Sequence, residues 1–153
     1  MPDLLVKLYD LPEVPVPDPG VMVRRPLPHE KHTVIGWIQK EFGEGWAGEC
    51  ETAFARQPVS CFIALVAGRI AGFAGYECTC RGFFGPTGVA PSFRSRGIGT
   101  ALLFRCLHAM KEYGYAYAII GGAGPVDYYR KTVGAEIISG SEPGIYPPKP
   151  VEG

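Results

Sequence analysis

A chain of 153 residues has the length of one ordinary domain, and a 46% hydrophobic content gives it enough apolar material for a single core. Fifteen basic and fifteen acidic residues balance, so no net charge draws the chain to nucleic acid or to an anionic membrane. No apolar run reaches the roughly 18 residues of a spanning helix, and the N-terminus lacks the pattern of a signal peptide, so a cytoplasmic location is expected.

In chain order, Leu4 to Leu11 reads either as a short strand or as a loosely docked arm. Pro12, Pro15, Pro17 and Pro19 then remove backbone donors and stiffen the chain, which makes an extended connector. Residues 1–20 are therefore set apart as an arm and connector, and residues 21–153 as the domain. Val21 to Leu27 is the first convincing strand. His29 to Phe42 carries Val34, Ile35, Ile38 and Phe42 at helical spacing, and GEG at Gly43 to Gly45 stops it. A second helix is expected from Trp46 to about Arg56.

The middle is rich in β-structure. Val59 to Val66 and Ile70 to Cys80 flank a tight turn and read as a hairpin. Phe83 to Val89 is another strand, in which Pro86 predicts a bulge or an edge because proline cannot donate to a ladder. From Gly97 to Tyr113 one helical face is continuous through Ile98, Leu102, Cys106, Ala109 and Tyr113. Tyr115 to Ile120 is a buried strand, GGAGP a turn, Val126 to Val133 a short helix, and Ala135 to Ile138 the last strand. The order β, α, α, β, β, β, α, β, α, β predicts a mixed α/β fold: a mostly antiparallel sheet with a late β-α-β unit and helices on both faces.

The five cysteines are an odd number, which fits reduced thiols better than a disulfide framework. Cys78 and Cys80, two apart on the expected strand, would face one side as small apolar residues. His29, His32 and His108 are scattered on helices and read as surface or interface residues, and no metal site is expected.

The stretch richest in chemistry is VAPSFRSRGIGT, Val89 to Thr100, which runs from a strand end into an apolar helix. A helix start offers unpaired N–H groups and a positive dipole end, both suited to phosphate. Gly97 and Gly99 allow close approach, and Arg94 and Arg96 add charge nearby. A Walker A loop is excluded because no GK[ST] occurs. A dinucleotide fingerprint is disfavoured, because Leu102 stands at its third small position and a hairpin precedes the loop. The pattern that fits is R-x-x-G-x-G, from Arg94 to Gly99.

With V-x-P ahead of it, this loop resembles the coenzyme A pyrophosphate loop of the GNAT N-acetyltransferases. The closing run GPVDYYRKTVGAEIISGSEPGIY also resembles small, mostly bacterial members of that family. The resemblance spans residues 20 to 140 and implies acetyl-CoA as cosubstrate. Thr87, Gly88 and Val89 would then end a splayed strand that pairs with the pantetheine arm, with an N–H near Val89 polarising the thioester oxygen. The amides of Arg94, Ser95, Arg96, Gly97, Ile98, Gly99 and Thr100 would hold the pyrophosphate. Tyr129 takes the place of the catalytic tyrosine in F-Y-E-K-x-G-F, although here one extra residue precedes Gly134 and Ala135 replaces the following aromatic.

A tyrosine, protonated at neutral pH, can return a proton to the departing thiolate. Tyr128 reads as core. Glu77 is open to two readings, a base acting through water or a surface carboxylate. Trp46 falls where the family's substrate loop lies, and Pro143 to Tyr146 would line either the acceptor site or an interface. The expected function is transfer of acetyl from acetyl-CoA to a small-molecule or peptide amine through a ternary complex. The alternative is a regulatory protein that binds acetyl-CoA without turnover. The family resemblance also implies a possible homodimer.

Overall fold

The computed structural model describes residues 1–153. Seven strands and four helices follow the chain in the order β1 (Leu4–Lys7), β2 (Val21–Arg24), α1 (Lys31–Phe42), α2 (Glu44–Glu51), β3 (Cys61–Val66), β4 (Arg69–Tyr76), β5 (Phe83–Val89), α3 (Ile98–Tyr113), β6 (Tyr117–Ile120), α4 (Val126–Val133) and β7 (Glu136–Ile137). All lie in or against one sheet of order β2-β3-β4-β5-β6-β1-β7. Every pairing is antiparallel except β5 with β6. The mixed α/β architecture with a late β-α-β unit is thus present. No helix is long and apolar enough to cross a membrane.

Each face of the sheet has its own apolar cluster. On one side α3 seats Leu102, Leu103, Phe104, Leu107 and Met110 against β1, β4, β5 and β6, and α4 adds Tyr129 and Val133. On the other, Val34 and Ile38 of α1 and Ala47 and Cys50 of α2 pack on Cys61, Ile63 and Phe73. Gly114 closes α3 in the left-handed conformation at φ 118°, where its N–H returns to the carbonyls of Lys111 and Met110.

Of the two readings open for Leu4 to Leu11, the strand is the one found. β1 lies between β6 and β7, and Leu4, Val6 and Leu8 are wholly buried. Residues 11–18 then run without helix or strand to β2 on the far edge of the sheet. On the way the N–H of Asp18 donates to the carbonyl of Arg96 at 3.1 Å.

Two sequence expectations need correction. β4 stops at Tyr76 because Glu77 turns to φ 61°, so Cys78 and Cys80 are not two positions of one strand. Cys78 is buried with Cys50 and Cys61, whose sulfurs lie 3.6 Å apart. Hydrogen bonding within this trio and burial push the Cys50 and Cys78 thiols up, so both stay protonated. Tyr128 is not core: it is 37% exposed, and its hydroxyl lies 2.6 Å from that of Thr100.

Truncation of a fully buried leucine costs about 2–5 kcal/mol. Leu4→Ala is therefore expected to destabilise the whole domain by that much, read as a lower urea midpoint at unchanged m-value. An unchanged midpoint would show that β1 is not integral to the sheet.

Candidate active site

The site begins with an interruption in β5. Ala74 pairs with Thr87 and Tyr76 with Phe84, so the two residues Gly85 and Pro86 face the single Gly75. This is the bulge that Pro86 foreshadowed, and it lies on an interior strand. Beside it, β5 and β6 pair only at Phe83–Ile119 and Phe84–Ile120. Past Ile120 the chain turns away through Gly121 and Gly122. The β6-side edge of residues 85–89 therefore has no strand against it.

The gap opens into a cleft of about 730 Å³, lined by both strand ends, by the Gly121–Pro125 turn, and by Trp46, Glu49, Thr79, Tyr129 and Tyr146. The N-terminal strand shapes one wall. The carbonyl of Pro2 accepts from the Ala123 N–H at 2.9 Å, and the Asp3 carboxylate accepts from the Gly122 N–H at 2.8 Å. Opposite, Gly88 is a packing requirement. A Cβ placed there would stand 2.5 Å from the Phe42 ring, so only glycine lets α1 lie this close to β5.

At the C-terminal end of β5 the chain makes the loop Arg94 to Gly97 and enters α3. Ser95 and Gly97 take left-handed φ values of 66° and 74° at alternate positions, a conformation that turns successive N–H groups inward. None of the six N–H groups from Ser95 to Thr100 donates to a backbone carbonyl; the first in α3 to do so is that of Ala101, bound to Gly97. Six adjacent free donors stand at the start of a 16-residue helix, the kind of place where backbone amides can take an anion. The side chains of Arg94 and Arg96 are exposed beside it, the former with Nε 3.5 Å from the Val89 carbonyl and the latter over the Phe93 ring.

Tyr129 projects from α4 into the cleft with only 6% of its surface exposed, edge-on to Phe84 and Tyr128. Burial first, and the neighbouring Tyr128 second, push its phenol up to about 12. It is therefore a neutral proton donor throughout the neutral range. Thr87 lines the same cleft and donates to the Phe73 carbonyl at 3.1 Å, which holds β5 to β4 at that point. Gly88 and Val89 continue the open edge toward the anion loop.

Glu77 does not join this group. Its carboxylate accepts from the Gly82 N–H and, at 3.0 Å, from the Tyr115 hydroxyl, with Arg56 at 3.8 Å. It is 5% exposed and borders a separate cavity of about 350 Å³ with Arg25, Arg56 and Tyr76. Glu77 is thus neither a surface carboxylate nor a base at the cleft, but a tie that fixes the turn between β4 and β5.

The acidic group in the cleft is Glu49, which sequence reading did not single out. It accepts from Thr79 at 3.1 Å and from Tyr146 at 2.8 Å. The available signal was helical spacing: Glu49 follows Trp46 by three residues on α2, which makes them neighbours on the helix surface, and it lies on the side away from buried Ala47.

The sequence model of the Acetyltransferase (GNAT) family matches residues 30–134. Solved structures with the same fold include a GCN5-related N-acetyltransferase from Sphaerobacter thermophilus, with a TM-score of 0.67 at 20% identity, over 90% of this chain and 48% of that one. A GNAT family acetyltransferase from Brucella melitensis in complex with acetyl-CoA gives 0.58 at 18% identity over 72% and 80% of the two chains. A GNAT family N-acetyltransferase from Escherichia coli in complex with CoA gives 0.56 at 18% identity over 76% and 68%. The chain thus spans about half the length of the Sphaerobacter protein. Comparison with curated proteins returns no match.

A free tyrosine ionises near pH 10. The pKa of Tyr129 is raised in the folded state, so any stability it lends is intact below pH 10 and lost as pH climbs toward 12. A spectrophotometric titration should show one tyrosinate step near pH 12 that is missing in Tyr129→Phe. A difference step near pH 10 would place Tyr129 in water.

Proposed function

From the premise that this chain belongs to the acetyltransferase (GNAT) family, we propose that it carries acetyl from acetyl-CoA to a primary amine by direct transfer in a ternary complex. The observation that carries this reading is one continuous line of features. An anion-binding helix start leads to an unpaired strand edge, and that edge leads to a cleft holding a neutral phenol.

The six free amides from Ser95 to Thr100 suit the coenzyme's pyrophosphate, with Arg94 and Arg96 adding positive charge. The free edge of residues 85–89 suits the pantetheine amides, which would add to β5 as one more strand. Held there, the thioester would lie beside Tyr129. The amine, once neutral, forms its N–C bond to the acetyl carbon as the C–S bond breaks. The phenol of Tyr129 protonates the leaving sulfur and is itself reprotonated as the new amide nitrogen loses its extra proton. Positioning two substrates in one cleft supplies most of the acceleration, and the acid supplies part of the remainder.

A binding protein without turnover would share the loop but has no use for Tyr129. Its phenol has no protein hydrogen-bond partner to require a hydroxyl there, and phenylalanine would pack equally well on Phe84.

Two variants separate binding from chemistry. Gly97→Asp forces a non-glycine residue into φ 74° with its Cβ 3.4 Å from Pro17 and adds a negative charge to a loop that would hold an anion, so acetyl-CoA affinity should vanish. Unchanged affinity in the folded variant would move the coenzyme elsewhere. Tyr129→Phe should keep acetyl-CoA affinity and lower turnover by roughly 10²–10⁴-fold, the usual worth of a positioned acid. Full turnover in that variant would remove the phenol from the reaction.

A further inference from the structure

Among the side chains lining the cleft, Glu49 alone carries a charge. The amino terminus at Met1 also borders the space, but it is paired with Glu142. Glu49 is fixed from two sides. Thr79, from the segment after β4, holds one carboxylate oxygen, and Tyr146, from the C-terminal segment, holds the other. Trp46 stands one helical turn before it, 41% exposed, with Phe42 and Phe73 behind its ring. Pro86, Phe83 and Pro143 extend the apolar wall.

Such a wall sorts acceptors by charge. One ammonium finds a carboxylate that is already oriented, and aromatic faces beside it add attraction for a cation. A second ammonium on the same molecule would lie against apolar side chains without a partner, which is costly. A carboxylate on the acceptor would meet Glu49 and no free cation. The body of the acceptor is best apolar and flat, to lie on Trp46. Because the segment from Pro143 to Tyr146 is tied down to α2 across this side, the entrance suits a small molecule rather than a folded chain's lysine.

We propose that the acceptor is a small arylalkyl or similar apolar primary amine with a single positive charge, and that Glu49 captures its ammonium group as the specificity-determining residue, before the nitrogen gives one proton to water and attacks as the neutral amine. This rests on the acetyltransferase reading above.

The test is coenzyme A release from the full chain with acetyl-CoA and a panel of phenethylamine, tryptamine, spermidine, phenylalanine and a lysine peptide, with acetyl-CoA affinity measured in parallel by calorimetry. The expected result is a kcat/KM for phenethylamine or tryptamine at least about tenfold above that of the other three. In Glu49→Gln the KM for the preferred amine should rise by about tenfold or more, the worth of a charge-assisted contact, while acetyl-CoA affinity is unchanged. Preference for spermidine, phenylalanine or the peptide would overturn the acceptor assignment while leaving the coenzyme site standing. So would inactivity with both arylalkylamines, or an unaltered KM in Glu49→Gln. Failure of acetyl-CoA to bind would remove both readings together.

Discussion

The parting of β5 from β6 is the constraint on which the rest of the site depends. Parallel pairing lasts for only two residue pairs, ending at Phe84 and Ile120. On one side the two-residue bulge at Gly85–Pro86 redirects β5 without breaking its hold on β4. On the other the chain leaves β6 through Gly121 and Gly122, where a Cβ on Gly121 would meet the Phe83 ring at 2.8 Å. A sheet normally satisfies its backbone groups strand by strand. Here an interior strand keeps an open edge, with a cleft beside it and a helix start at its end. On the reading proposed above, an extended, amide-bearing ligand would offset the cost of that edge by pairing with it as one more strand.

The N-terminal segment makes this opening sustainable. β1 fills the position beyond β6, buries Leu4, Val6 and Leu8, and ties the Gly121–Pro125 turn through Pro2 and Asp3. The wall of the cleft is therefore built from residues more than a hundred positions apart. The proline-rich connector then crosses to the opposite edge and touches the anion loop, where Pro17 lies against Gly97 and Asp18 donates to the Arg96 carbonyl. That contact braces the loop through a carbonyl and leaves its inward N–H groups free.

Much of the fold was legible from periodicity. The apolar faces of α1 and α3 and the hairpin of β3 with β4 follow from spacing alone, and Pro86 announced its bulge because it lacks a donor. The anion loop was legible because glycine, arginine and a helix start are adjacent in sequence. What was not legible depended on distant partners. Whether Leu4 to Leu11 docks is decided by Ile120 and Ile137, which pair with Leu4 from the far end of the chain. Glu77 was misplaced because a left-handed turn, unusual for glutamate, ends β4 at Tyr76, short of the expected Cys80, and swings the carboxylate to Gly82 and Tyr115. Glu49 was missed because the residues that orient it, Thr79 and Tyr146, come from segments with no periodic pattern. Tyr128 and Tyr129 are neighbours of the same type, and only the helix's orientation buries one and exposes the other.

The central claim is that the helix start, the open edge and the cleft form one acetyl-CoA site. A calorimetric titration of the pure protein with acetyl-CoA, with NADH as the control dinucleotide, addresses it most directly. Saturable one-to-one binding of acetyl-CoA, with none for NADH, is the predicted result. No heat of binding with acetyl-CoA, or equal binding of both, would contradict it and reduce the loop from Arg94 to Thr100 to an ordinary turn into a helix.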